Sequence, residues 1–179
     1  PNASCPTPML GLSANRMQVI EHLDRMTIAE GGTHADVGMR WGLRALSPAW
    51  SSFFGSDAAA AYKGKTKKVA VLITDGRNEE ASWVPGFWNC SNPYDPTCVG
   101  TPARSELNTM MLGWCQAMRE TYGIDVYTIA LNISDSEAIG YLRDCVAPNV
   151  SRAFSIDSAN VGQALKAIFQ ETIRLKLTH

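Results

Sequence analysis

Asp75 stands where a run of apolar residues stops. The stretch KKVAVLITDGRNEE, from Lys67 to Glu80, runs through a β-forming segment into Thr-Asp-Gly and then into a polar, acidic loop. A carboxylate at the tip of such a segment has three uses: nucleophile, metal ligand or turn residue. A second oxygen donor comes from EGGTHADVG, where Thr33 follows a double glycine and opens a helix. Hydroxyl and carboxylate oxygens are the hard donors that a cation such as Mg²⁺ takes, with water completing the shell. The competing chemistries lack their parts. No GxxxxGK[ST] or GxGxxG follows a strand, so no phosphate cradle is encoded. No GxSxG elbow occurs, and the spacing of His22, His34 and His179 assigns none of them as a base. His34, beside Thr33, is the one base that could serve Asp75 in a metal-assisted hydrolase. The plainer alternatives are a turn aspartate and an N-capping threonine.

The elements that must position these groups are legible as patterns. SANRMQVIEHLDRMTIAEGG predicts a helix capped by Ser13, with Met17, Ile20, Leu23 and Met26 at helical spacing and a stop at Gly31 and Gly32. A second helix is expected just after Thr33, carrying Val37, Met39, Trp41, Leu43 and Leu46 until Ser-Pro ends it; Trp41 is expected in the core. Residues 51–68 read as loop, with a helical turn at DAAAAY, and YKGKTKK reads as a solvated basic edge. Val69 to Thr74 is apolar on both faces, which predicts a central parallel strand. Beyond the irregular segment 77–102 come the helix ARSELNTMMLGWCQAMRETYG, the strand IDVYTIAL, the helix SDSEAIGYLRDCV, the short strand RAFSI and a last helix from about Ser158 to Leu175. Alternating strands and helices predict an α/β fold, a doubly wound, mostly parallel sheet with helices on both faces. Three clear strands are few for an open sheet, and a further strand is expected to pair with them.

The 179 residues suit one domain, residues 1–179, and 45% apolar with 18% charged residues is a globular composition. A net charge of -1 argues against nucleic acid as a partner. No apolar run is long enough to span a membrane, and no signal peptide opens the chain; PNASCPTPML reads as the middle of something longer. The cysteines are Cys5, Cys90, Cys98, Cys115 and Cys145, with no CxxC spacing for zinc. The expected pairs are Cys90–Cys98, closing a turn-rich loop, and Cys115–Cys145, tying the helices that bracket IDVYTIAL. Cys5 is then left over, and an oxidising compartment is expected; the alternative is buried free thiols in a cytosolic protein.

GGT at a helix start, followed by VLITDG on a strand, resembles the second and third metal-site motifs of the von Willebrand factor A (VWA) domain. The resemblance implies that Thr33 and Asp75 hold Mg²⁺ at a metal-ion-dependent adhesion site. The family's first motif, Asp-x-Ser-x-Ser after a central strand, does not occur here. That strand is then expected upstream of Pro1, and Mg²⁺ binding by this chain alone is expected to be weak or absent. GGTHADVGMRWGLRALSP, Cys115 before GIDVYTIAL, YLRDCVAP and LKAIFQETIRLKLT are similar to the A-type domain at the C-terminal end of bacterial TadG-like Tad pilus assembly proteins.

The resemblance implies no catalytic residue. It points to a binding or assembly module in the periplasm, at the cell surface or secreted, with a protein partner such as another pilus or envelope component. Trp83, Phe87 and Trp88, in the irregular loop, are candidates for a partner-binding patch or for a local mini-core. A second alternative is a eukaryotic matrix-binding VWA domain, for which the Asn-x-Ser sequences at Asn2, Asn89, Asn132 and Asn149 would be glycan acceptors.

Overall fold

β2, Asp125–Leu131, lies at the middle of a three-stranded parallel sheet of order β1-β2-β3, between β1, Val69–Thr74, and β3, Ala153–Ile156. The structure is a computed structural model describing residues 7–26, 33–60, 66–78 and 104–177. Around the sheet run α1 (Arg16–Asp24), α2 (Ala35–Ala45), α3 (Ser51–Phe54), α4 (Arg104–Gln116), α5 (Ser136–Val146) and α6 (Val161–Leu177). This is an α/β fold with parallel strands joined through helices.

Strand side chains alternate between faces, and each face of β2 meets a different helical layer. Ala70, Leu72 and Val126 pack with Met39 and Leu43 of α2, Met111 and Cys115 of α4, and Cys145 of α5. On this face the buried Thr128 hydroxyl donates to Leu142 O of α5 at 2.9 Å and is satisfied by it. The opposite face, Tyr127 and Ile129 with Val69, Phe154 and Ile156, lies against Ala164 and Ile168 of α6. Full burial of each large apolar side chain contributes about 1.5–3 kcal/mol.

The last three helices and all three strands form where the residue pattern predicts them. Gly123 has φ 61°, the left-handed turn that separates α4 and its π-helical extension, Ala117–Thr121, from β2. Differences concentrate in the first third. Asn15, not Ser13, caps α1: its side chain accepts from Met17 N and Gln18 N, while Ser13 Oγ accepts from Asn15 N and donates to Gln18. The apolar row of α1 does not enter the core, and Met17, Leu23 and Met26 are exposed. Helical turns run across Pro48–Asp57, where Ser47 accepts from Ala49 N and Pro48 starts the first; of the turn expected at DAAAAY, residues 58–60 are not helical and residues 61–62 lie outside the described residues.

Trp41 is half-buried. It meets Trp50 and Phe53 edge-on or tilted, with the Arg44 guanidinium 4.6 Å from both indole rings. The basic stretch is not wholly solvated. Lys68 is buried, donating to Leu46 O at 2.7 Å and Ala60 O at 2.5 Å, and burial lowers its pKa. Lys67 pairs with Asp125 at 2.6 Å.

β1 was expected in the centre and is at the edge of the described sheet. Its composition is nonetheless that of an inner strand: Val71 is 37% and Ile73 44% exposed. On the same face the α6 row Leu165, Phe169 and Ile173 is also exposed.

Cys115 and Cys145 form a disulfide, both fully buried between α4 and α5. Cys90–Cys98, and the aromatic candidates Trp83, Phe87 and Trp88, lie outside the described residues, as does Cys5. A cross-link spanning 30 residues removes loop-closure entropy from the unfolded chain. Replacing Cys115 and Cys145 together by Ala is expected to cost about 3–4 kcal/mol of folding stability. Urea unfolding of the double variant measures it, and an unchanged midpoint would show that the bridge does not constrain the chain.

Candidate functional site

At the carboxyl end of β1 the chain turns sharply. The Thr74 hydroxyl accepts from Gly76 N at 3.3 Å and donates to Gly76 O at 2.9 Å, closing a tight loop around Asp75. Asp75 is exposed at its tip and hydrogen-bonded to no described residue. Across from it, the segment entering α2 brings Thr33 against the same loop. A Cβ added to Gly76 would stand 2.8 Å from Thr33 Oγ1 and 3.4 Å from Thr33 Cβ. A side chain at position 76 would therefore force Thr33 or the loop to shift, so the two loops lie close to each other here. The hydroxyl of Thr33 thus lies close to the residue next to Asp75.

Asn78 holds this arrangement from below. Its buried Oδ1 accepts from Ala35 N, the first residue of α2, at 2.7 Å, and its Nδ2 donates to Asn108 Oδ1 of α4 at 2.9 Å. Arg104 Nε, at the start of α4, donates to Asn78 O at 3.0 Å. One side chain thus caps α2 and links it to α4, fixing Thr33 two residues before the cap. A small cavity of about 20 Å³, lined by Thr74, Gly76, Arg77, Asn78, Glu137 and Tyr141 among others, opens beside it and has room for about one water.

The electrostatics follow from helix direction. α2, α4 and α5 all begin at this end of the sheet, presenting the positive ends of their dipoles. Each carries an acid in its first turn: Asp36, Glu106 and Glu137. Asp36 is buried, its Oδ1 has no hydrogen bond, and His34 Nδ1 lies 3.6 Å away. Asp135 caps α5 and meets Arg77 Nη1 at 3.1 Å, tying the β1 loop to that helix. The N–H groups of Ala138 and Glu137, together with Arg77, hold the Asp135 carboxyl below its ordinary range.

The donor set is one that suits a hard cation: a hydroxyl and an unpaired carboxylate on neighbouring loops. It is small, because among the described residues no three His, Cys, Asp or Glu side chains converge at metal-site spacing. Asn78, Asn108, Arg104 and Asp135 were not singled out from the sequence. Only Asp135 carried a local signal, the acid before SEA that a helix N-cap favours. An asparagine's partner in a helix far along the chain leaves no mark on spacing. In comparisons with known proteins the chain matches no family model, and neither a curated protein nor a solved structure is significantly similar to it.

Asn78→Ala is expected to cost about 2–3 kcal/mol, since it uncaps α2 and leaves buried Asn108 without its donor. Denaturant unfolding checks this, and a loss within experimental error would remove Asn78 from its central role. Asp135 stabilises the fold in its ionised form. Its folded pKa lies below 3.8, so the unfolded chain binds the proton first; stability is full above that value and falls as pH drops through the folded pKa. Asp135→Asn keeps a cap but cannot titrate. Unfolding at stepped pH is expected to show a shallower acid decline in this variant than in the parent.

Proposed function

We propose that this chain is the greater part of a VWA-type domain, a non-enzymatic binding or assembly module of a Tad-type pilus or related bacterial envelope system. Thr33 and Asp75 are its metal-facing residues. The single observation that carries this reading is the close approach of Thr33 Oγ1 to Gly76, beside an exposed Asp75 that is hydrogen-bonded to no described residue. Two hard oxygen donors from separate loops at the carboxyl end of a parallel sheet fit Mg²⁺ in kind. Bound there, Mg²⁺ would offer an open position to a carboxylate oxygen of a protein partner.

In number the donors fall short of an octahedral shell. The open edge of β1 supplies the remedy in this proposal: a further strand, from a preceding segment of the same polypeptide, pairs with β1 and carries the remaining oxygen ligands. Support comes from Val71 and Ile73, inner-strand residues left half-exposed on a strand with one edge unpaired among the described residues. The buried Cys115–Cys145 bridge is in keeping with an oxidising compartment such as the periplasm or cell surface. Among the described residues no helix is long and apolar enough to cross a membrane.

Mn²⁺ takes the same oxygen ligands and broadens nearby amide resonances, so it locates even a weak site. Titrating the chain with Mn²⁺ is expected to broaden Thr33, Asp75 and Gly76 first, in competition with Mg²⁺. Asp75→Ala and Thr33→Ala should each abolish the localised effect while changing stability by no more than about 0.5 kcal/mol, because Asp75 is exposed and Thr33 half-buried. Calorimetry should find only weak Mg²⁺ binding by residues 1–179 and tighter binding when the preceding segment is present. Broadening centred elsewhere, or unchanged by Asp75→Ala, would sink the reading.

A further inference from the structure

β3 forms the opposite edge of the described sheet, and the cleft beside it has no part in the Thr33–Asp75 site. In a strand, the N–H and C=O of one residue point to the same side and those of the next residue point to the other. Asn132 N donates to Ile156 O at 2.9 Å, so Ile156, and by alternation Phe154, turn their main-chain groups toward β2. Ser155 therefore turns its N–H and C=O outward. It is exposed and hydrogen-bonded to no described residue.

Between this edge and α6 runs an open groove of about 670 Å³. Phe154 and Ile156 form its apolar floor, and Ala164 and Ala167 on α6 keep it wide because neither extends beyond Cβ. Asn160 and Gln163 stand on its rim. Asn160 Nδ2 is spent on Asp157 Oδ1 at 2.8 Å, leaving its own oxygen to accept, and the exposed Gln163 carboxamide bonds to no described residue.

The chemistry of this lining selects its ligand. Among the described residues no cation lines the groove, and the one charge there, Asp157, is already engaged by Asn160 N and Nδ2, so neither a phosphate nor a carboxylate group has a counter-charge. What the groove presents is a paired main-chain donor and acceptor, neutral carboxamides that both donate and accept, and an apolar floor. An extended polypeptide satisfies all three at once, its backbone pairing with the strand edge and alternate side chains entering the groove. We propose that the β3–α6 groove is a recognition site for an extended, uncharged peptide segment with an apolar residue, added to the sheet at Ser155. It is independent of the metal-facing end, and either can fail without the other.

Random peptides displayed on phage and selected on the immobilised chain supply the probe, and the best sequence is then synthesised for calorimetry. Ser155→Pro deletes the outward N–H and adds a ring at the edge but removes no bond to β2, as proline at an edge position allows. Ala167→Trp fills the groove from an exposed helix position. Val71→Pro makes the same kind of change on the β1 edge, where alternation from Lys68 O, which accepts from Asp125 N, turns Val71 outward. The expected result is binding weakened at least about tenfold by Ser155→Pro and by Ala167→Trp, unchanged by Val71→Pro, with amide exchange at Ser155 slowed by the peptide. Should Ser155→Pro not fold, by thermal melting, Ala167→Trp and the exchange data decide. No retained peptide, peptides indifferent to both groove variants, or protection at β1 instead of Ser155 would each overturn the proposal.

Discussion

A parallel strand whose neighbours lie on both sides has no face to give to water, and β2 meets that condition fully. Val126 to Ala130 are at most 2% exposed, so one layer must cover Val126, Thr128 and Ala130 and another Tyr127 and Ile129. The first layer is α2, α4 and α5, and the second is α6. The Cys115–Cys145 bridge lies within the first layer and holds α4 to α5. At the amino end of the strand, Asp125 receives Lys67 and Arg152, the latter at 2.8 Å, so the two flanking strands are anchored to one carboxylate. The Arg152 guanidinium also lies 5.0 Å from the Tyr127 ring, which carries this charge cluster onto the α6 face.

Covering a parallel sheet with helices forces the helices to start together. α4 and α5 each follow the carboxyl end of a strand, and α2 lies in the same layer, so the N-termini of α2, α4 and α5 meet near Asp75. Their unpaired N–H groups need acceptors, and the chain supplies Asn78 for α2 and Asp135 for α5. Capping therefore does more than stabilise helices. It fixes the two loops that carry Thr33 and Asp75, since Asn78 lies three residues after Asp75 and accepts from a residue two after Thr33. The site is a consequence of how the helix ends are satisfied.

The two sheet edges differ in kind. β1 has inner-strand composition and half-exposed apolar side chains, a surface suited to a whole additional strand. β3 is short, with its apolar residues partly covered by α6 and one outward-facing main-chain position in a polar-rimmed groove. Short edge strands limit indiscriminate pairing, which makes the β3 groove the more selective of the two.

Periodicity in the chain was enough to determine the alternation of strands and helices, the parallel sheet, the helix start after Thr33 and the strand ending at Asp75. These rest on local preferences and on the pattern of apolar residues, which a linear text preserves. The pairing of Cys115 with Cys145 was also within reach, because both fall on helices that bracket one strand. What the linear pattern did not reveal was which apolar rows are covered. The stripe of α1 looks as buried as that of α2, yet Met39 is 3% and Met17 59% exposed. Nor did it reveal that Lys68 would be buried between two carbonyls or that Asn78 would join two helices and frame the site. Burial and hydrogen-bond partnership are properties of pairs of distant residues. Only the tertiary structure decides them, because the free energy of covering a side chain or satisfying a polar atom depends on what the rest of the chain brings to it.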